Sequence, residues 1–192
     1  AAGKDVTLFC RTDVPYNLFG IYPEGKDQPV LADGEVRFRG EAVLALVGER
    51  DTVERIADDE IPITWQPETP VIGIAASMAA GAPLVQAGRS DNLLIEGQVR
   101  RGHAAAALAD CAAVASGEFR TSFGEHAYIE PEAGWARRVG DRLEVHVTTQ
   151  APGMDQVETA SVMRLKKDQV RIIPTACGGG FGGKLDVSVQ PL

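Results

Sequence analysis

Residues 177–186 read Cys-Gly-Gly-Gly-Phe-Gly-Gly-Lys-Leu-Asp, five glycines around one phenylalanine with a lysine at the end. Glycines in such density let a backbone approach another group closely and turn its N–H donors toward it. Two phosphate-binding patterns are partly matched. Gly178 and Gly183–Lys184 fit the start of G-x-x-x-x-G-K, but Leu185 stands where that loop needs a Ser or Thr hydroxyl for Mg²⁺. The loop should also open a helix, whereas the following "LDVSVQPL" alternates like a strand. Gly178, Gly180 and Gly183 fit G-x-G-x-x-G, yet that reading requires an acidic residue about 20 positions further on, and the sequence runs only to Leu192. A glycine-rich turn between two strands is the bland alternative. What the residues themselves indicate is a ligand with acceptor atoms, unnamed.

The second group with chemistry to offer is "VTTQ", ending at Gln150. The alternating stretch "RLEVHVTTQ" predicts a strand, "MDQVETASVMRL" a helix, and "QVRIIPTAC" a second strand that leads into the glycines. If the two strands are parallel neighbours, Gln150 and Phe181 share one edge of the sheet, the carboxyl edge where ligands collect. The helix is expected to bury Met154, Val157, Ser161 and Leu165, with Val162 beside them.

Upstream, "EVRFRGEAVLALVGE" predicts an extended segment, and Asp51 with Glu54 predicts a capping box opening a helix through "TVERIAD". "EIPITWQPE" predicts a further strand, and the alanine-rich "HAAAALADCAAVAS" a helix that ends at Gly117. "AGAPLVQAGRSDN" has the composition of a linker. The predicted fold class is α+β, divided into residues 1–88 and 89–192.

Composition narrows the partners. The 192-residue chain carries a net charge of −8 and no extended basic cluster, which argues against nucleic acid. Its longest apolar run, "VIGIAASMAAGAPLV", is too short and too broken to cross a membrane. Three widely spaced cysteines, Cys10, Cys111 and Cys177, without any C-x-x-C, fit reduced thiols in a cytoplasmic protein rather than a zinc or iron–sulfur site held within this chain. Both ends read as cut, as in a piece of something longer.

Three segments in order then carry a resemblance: "GEHAYIEPEAGWA" with His126 and Glu130, "VHVTTQAPG", and "CGGGFGGK". They resemble the molybdopterin-binding subunit of the xanthine dehydrogenase and aldehyde oxidase family. "RTDVPYN" and the stretch from "QPVLADGEVRFRG" to "DDEIPITWQ" are similar to that family's α/β hammerhead domain. The resemblance implies a small α/β hammerhead-type domain (its C-terminal part, residues 1–88) followed by the first part of a mixed α+β molybdopterin-binding domain (89–192). It implies part of a molybdenum hydroxylase that oxidises an aldehyde or an aromatic N-heterocycle with oxygen from water. Gln150 would hydrogen-bond an oxo ligand of molybdenum. Backbone at Gly180, Phe181 and Gly182 would face the cofactor, and Phe181 would line the substrate pocket. His126 and Glu130 are expected to be a structural hydrogen-bonded pair at a turn. No side chain of this chain is expected to ligate metal. The catalytic base is expected beyond Leu192, so the chain alone would be inactive. The remainder of the molybdenum subunit, and iron–sulfur and flavin domains or subunits, would be partners. Leu185 stands where purine-hydroxylating relatives carry a glutamate, which argues against xanthine. A non-catalytic piece of a split subunit, supplying one wall of the site and an assembly interface, is the alternative.

Overall fold

The computed structural model describes residues 6–22, 25–122 and 124–185. "LDVSVQPL" lies outside them except for Leu185. The chain divides into two compact units, one of residues 1–63 with 125–192, the other of residues 64–124.

In the first unit, strand β1 (Val6–Phe9) pairs antiparallel with β2 (Ala45–Gly48), from Val6 opposite Gly48 to Phe9 opposite Ala45. The expected long extended run therefore keeps only its end as strand. Its earlier part folds on itself at Gly40, whose φ is +98°, with the Arg37 N–H donating to Glu41 Oε2 at 2.5 Å. Helix α1 (Arg50–Val53) is a single turn that starts before Thr52. No side chain caps it: Glu49 stands at the N-cap, which puts Asp51 inside the turn, and Glu54 lies at the C-cap, where Arg50 Nε donates to its Oε1 at 2.8 Å. The expected capping box does not form. Nor does "EIPITWQPE" become a strand. Pro62 and Pro67 lack the N–H that a ladder needs, and no partner strand lies beside them among the described residues.

The same unit holds a three-stranded sheet in the order β3-β4-β5, from β3 (Gly134–Val139), β4 (Arg142–Val147) and β5 (Val170–Pro174). β3 and β4 form a hairpin around Gly140–Asp141, with Gly140 at φ +62° taking the first turn position. β4 and β5 run parallel, with Leu143 opposite Val170 and Val147 opposite Pro174. Helix α4 (Pro152–Val162) connects them, its first residue the proline that suits a first helical turn. This is the predicted strand–helix–strand unit. The core lies between helix and sheet: Val145, Val147, Ala160, Val162 and Val170 are buried.

The buried face of α4 is only partly the predicted one: Val162 is buried and Met154 and Leu165 are half-buried, but the face is centred elsewhere. Asp155, Glu158, Thr159, Ala160 and Val162 are buried, whereas Val157 is 44% exposed and Ser161 is also exposed. The reason is that Pro15, Tyr16 and Lys26 bring polar partners to the helix and its end. Lys26 Nζ donates to Glu158 Oε1 and, at 2.8 Å, to the Gly20 carbonyl. The Tyr16 N–H donates to the Val162 carbonyl at 2.9 Å, and Arg164 Nε to the Pro15 carbonyl at 2.8 Å.

The second unit contains two short helices, α2 (Ile74–Ser77) and α3 (Ala104–Ala109). Asn92 organises part of it, donating to the Ser77 and Pro83 carbonyls and accepting from the Val85 N–H. α3 stops well short of Gly117. Its residues are exposed all round, and alanine propensity without a packed face does not sustain a longer helix.

Candidate functional site

Because β4 and β5 are parallel, Thr148–Gln150 and the glycine loop leave the sheet at the same edge. The ladder extends one step past the strands, with the Thr175 N–H donating to the Val147 carbonyl at 3.1 Å. The loop then returns, and the Gln150 N–H donates to the Lys184 carbonyl at 2.8 Å. A tight turn closes within it, with the Gly183 N–H donating to the Gly180 carbonyl at 2.7 Å. The Gln150 side chain crosses this turn. Its Oε1 accepts from the Gly182 N–H at 3.0 Å and from the Lys184 N–H at 3.3 Å. Two N–H donors can be met only by the amide oxygen, so the orientation of the amide is fixed. Its Nε2 has no partner among the described residues, and Gln150 is exposed. The N–H groups of Gly180 and Phe181 likewise have no partner among the described residues.

Each glycine has a reason in the protein itself. A Cβ at Gly178 would stand 2.5 Å from Glu130 Cβ, and at Gly179 2.9 Å from Tyr128 Cβ. At Gly180 it would stand 2.8 Å from Gln150 Cδ, and at Gly183 2.8 Å from Tyr128 Cε1. At Gly182 a Cβ would make only ordinary contact, 3.8 Å from His126 Nε2, but φ is +96°. The loop is thus wedged between Gln150 on one side and the segment His126–Glu130 on the other. Phe181 sits at its tip with φ +50° and is 76% exposed. An aromatic residue in the left-handed region is strained, a feature that concentrates at functional sites.

Glu130 binds the loop to the sheet. Its Oε1 accepts from the Thr148 hydroxyl at 2.5 Å. Its Oε2 accepts from the Gly178 N–H at 2.7 Å and from Lys184 Nζ at 3.0 Å. Lys184 is 1% exposed, and its ammonium also lies 4.6 Å from the centroid of the Tyr128 ring. The Thr148 bond, then the Gly178 N–H and Lys184, hold the Glu130 carboxyl down at about 2. The Tyr128 hydroxyl donates to Glu132 Oε1 at 2.5 Å, which with burial pushes the phenol up to about 12.

The structure brings Gln150, Gly180, Phe181 and Gly182 together, as four residues of one loop-and-strand edge. The Gly182 N–H is committed to Gln150, so its direct part is to hold that amide. The expected pairing of His126 with Glu130 does not form. His126 Nδ1 lies 3.9 Å from Glu125, and Glu130 turns to Thr148, Gly178 and Lys184. Thr148, Tyr128 and Lys184 had no part in the sequence-based site. The only signal for Lys184 was the lysine closing the glycine run, part of a phosphate-loop pattern that Leu185 already ruled against; it serves as a buried countercharge to Glu130.

The edge offers hydrogen-bond donors to oxygen atoms. Among the described residues no three of His, Cys, Asp and Glu gather into a metal-ligating group. The donor set therefore fits a group that brings its own metal ligands and asks the protein for N–H donors.

A family model for the molybdopterin cofactor-binding domain matches residues 85–192. The chain belongs to this family, within the xanthine dehydrogenase and aldehyde oxidase enzymes. It is 33% identical over 175 residues to the nicotinate dehydrogenase large molybdopterin subunit of Eubacterium barkeri, covering 91% of this chain and 40% of that protein. In fold it matches the aldehyde oxidoreductase of Desulfovibrio gigas with a TM-score of 0.84 at 20% identity, over 96% of this chain and 21% of that one. Quinoline 2-oxidoreductase of Pseudomonas putida 86 matches with a TM-score of 0.76 at 25% identity, over 94% of this chain and 24% of that one. The chain thus spans less than half the length of each of these relatives. Molybdopterin carrying molybdenum is the cofactor of this family, and the free donors at the sheet edge suit it.

Proposed function

We propose that this chain forms one wall of the molybdenum-cofactor site of a hydroxylase acting on an aldehyde or an aromatic N-heterocycle. The observation that carries the reading is the Gln150 amide. Two backbone N–H groups clamp its oxygen and leave its NH₂ free at the edge where the strained Phe181 tip also lies. When bound, the cofactor supplies two-electron oxidation with water as the source of the new oxygen. Gln150 Nε2 would hydrogen-bond an oxygen of the cofactor, with the Gly180 and Phe181 N–H groups as further donors. Donors fixed before the reaction need no reorganisation when charge grows on that oxygen. Phe181 gives the pocket an exposed aromatic face, and Leu185, 44% exposed, gives it an apolar one. These surfaces suit a flat, weakly polar substrate. The relatives acting on nicotinate and quinoline by name agree with this.

On this reading the first 88 residues belong to a hammerhead-type domain. The base and most pterin contacts come from elsewhere in the enzyme, and electrons leave through iron–sulfur and flavin partners. The test uses the full-length enzyme with its partner subunits: metal analysis, then turnover of benzaldehyde, nicotinate and xanthine in ¹⁸O-labelled water. About one molybdenum per protomer, labelled product from benzaldehyde or nicotinate, and little turnover of xanthine are expected. Absence of molybdenum, or product oxygen drawn from O₂, would overturn the reading.

A further inference from the structure

The Glu130 carboxylate is an unusual junction. Groups from two segments distant from it in sequence meet on its two oxygens: Thr148 past the end of β4, and both ends of the glycine loop, Gly178 at its entry and Lys184 at its exit. The Lys184 ammonium also reaches the Glu130 carbonyl at 3.5 Å. Gly178 and Lys184 bracket the loop that carries Phe181, and the Lys184 N–H is one of the two that clamp Gln150. Thr148 is two residues before Gln150 on the same strand exit. One carboxylate therefore ties both ends of the loop to the strand from which Gln150 springs. Gly178 lets it come this close, since a Cβ there would overlap Glu130. The loop has no apolar core of its own to do this work. Of its glycines only Gly180 is buried, and Phe181 is exposed.

We propose that Glu130 is a positioning residue of the cofactor wall, setting the register between the glycine loop and Gln150 and so the placement of their free donors. The inference rests on the functional reading above. Glu130 does not touch the cofactor; it acts through Gly178, Lys184 and Thr148.

A structural anchor would affect folding, whereas a positioning residue also affects the rate of each loaded site. The test compares Glu130→Gln with the parent in the full-length enzyme. Molybdenum per protomer is measured before and after gel filtration, kcat is expressed per bound molybdenum, and KM and Tm are recorded. Loss of an outer partner of a bound metal group typically costs roughly 10–100-fold in affinity or activity. Expected are faster loss of molybdenum on the column than in the parent and a kcat per molybdenum lower by about 10-fold or more, with KM changed by less than about twofold. Glu130→Asp should recover part of the rate. An unchanged kcat per molybdenum with unchanged retention, even beside a lower Tm, would overturn the proposal. If Glu130→Gln does not accumulate, Thr148→Val removes one of the three bonds to Glu130, together with the hydroxyl's contacts to Thr175 and the Ala176 carbonyl, and carries the same expectations and the same refutation. The parent separates the two readings: a parent without molybdenum refutes the functional reading, whereas a loaded parent with an indifferent variant refutes only this one.

Discussion

Gln150 carries two separable jobs, and two substitutions divide them. Its oxygen clamps the loop through Gly182 and Lys184, and its NH₂ is the donor left for a ligand. Gln150→Ala removes both. Each accepted bond is worth about 0.5–1.5 kcal/mol net, and the loop is open to water, so Ala should cost about 1–2 kcal/mol of stability. Gln150→Glu keeps an oxygen where the clamp needs it and replaces only the donor. It should unfold within about 1 kcal/mol of the parent. Its kcat should nonetheless fall by on the order of 10²–10³, the loss typical of one preorganised donor. KM should stay within about twofold, the pattern of an interaction made chiefly in the transition state. The assay is steady-state turnover of the full-length enzyme, normalised to bound molybdenum, beside urea unfolding. Should Gln150→Glu turn over at the parent rate per molybdenum, the amide is only a loop clamp and the donor argument is refuted.

Gly178→Ala would put a Cβ 2.5 Å from that of Glu130, and overpacking of this kind should cost about 1–3 kcal/mol in urea unfolding; a neutral result would show that the loop and residues 126–130 separate freely. The Glu130 carboxyl lies at about 2 in the folded chain, lowered from 4.5. The carboxylate form is thus favoured by folding: its stabilisation is complete above the ordinary carboxylate range and lost as pH falls through that range toward about 2. Glu130→Gln should lose less stability than the parent in that window, and equal acid sensitivity would contradict the assignment. Lys26→Met leaves Glu158, 2% exposed, without its countercharge. It should destabilise by about 3 kcal/mol, the low end for a broken buried pair because the Lys26 side chain is 30% exposed; a loss under about 1 kcal/mol would show that Glu158 finds another partner.

The part of the fold legible in the sequence was the part where period and neighbours agree. "RLEVHV" alternates, with Val145 and Val147 buried on one face, and "QVRII" leads into the glycines, so the parallel pair and the site's edge could both be placed. Helix α4 itself was visible, but only part of its inner face. Asp155 and Glu158 look like solvent residues until Lys26, more than a hundred positions earlier, comes to Glu158. Hydrophobic period cannot register a buried acid with a distant base. The proline-rich "EIPITWQPE" shows the opposite failure. Its β-branched residues favour extension, but extension becomes a strand only with a partner. At the site, the glycines signalled close approach without saying to what. Much of the answer is the chain's own His126–Glu130, which no spacing rule links to residues 178–183. Glu130 was visible only as half of a turn pair, because its real partners come from β4 and the loop.

The central claim, that Gln150 and the glycine loop form a wall of the cofactor site, is tested most directly by an experimental structure of the full-length enzyme with cofactor bound. The quantity to read is the distance from Gln150 Nε2 to the nearest oxygen of the molybdenum group. The account predicts a hydrogen bond, about 2.7–3.2 Å, with Gln150 Oε1 still accepting from Gly182 and Lys184. A cofactor seated elsewhere, with Gln150 Nε2 bonded to protein or water and more than roughly 5 Å from any cofactor oxygen, well beyond hydrogen-bond reach, would contradict it.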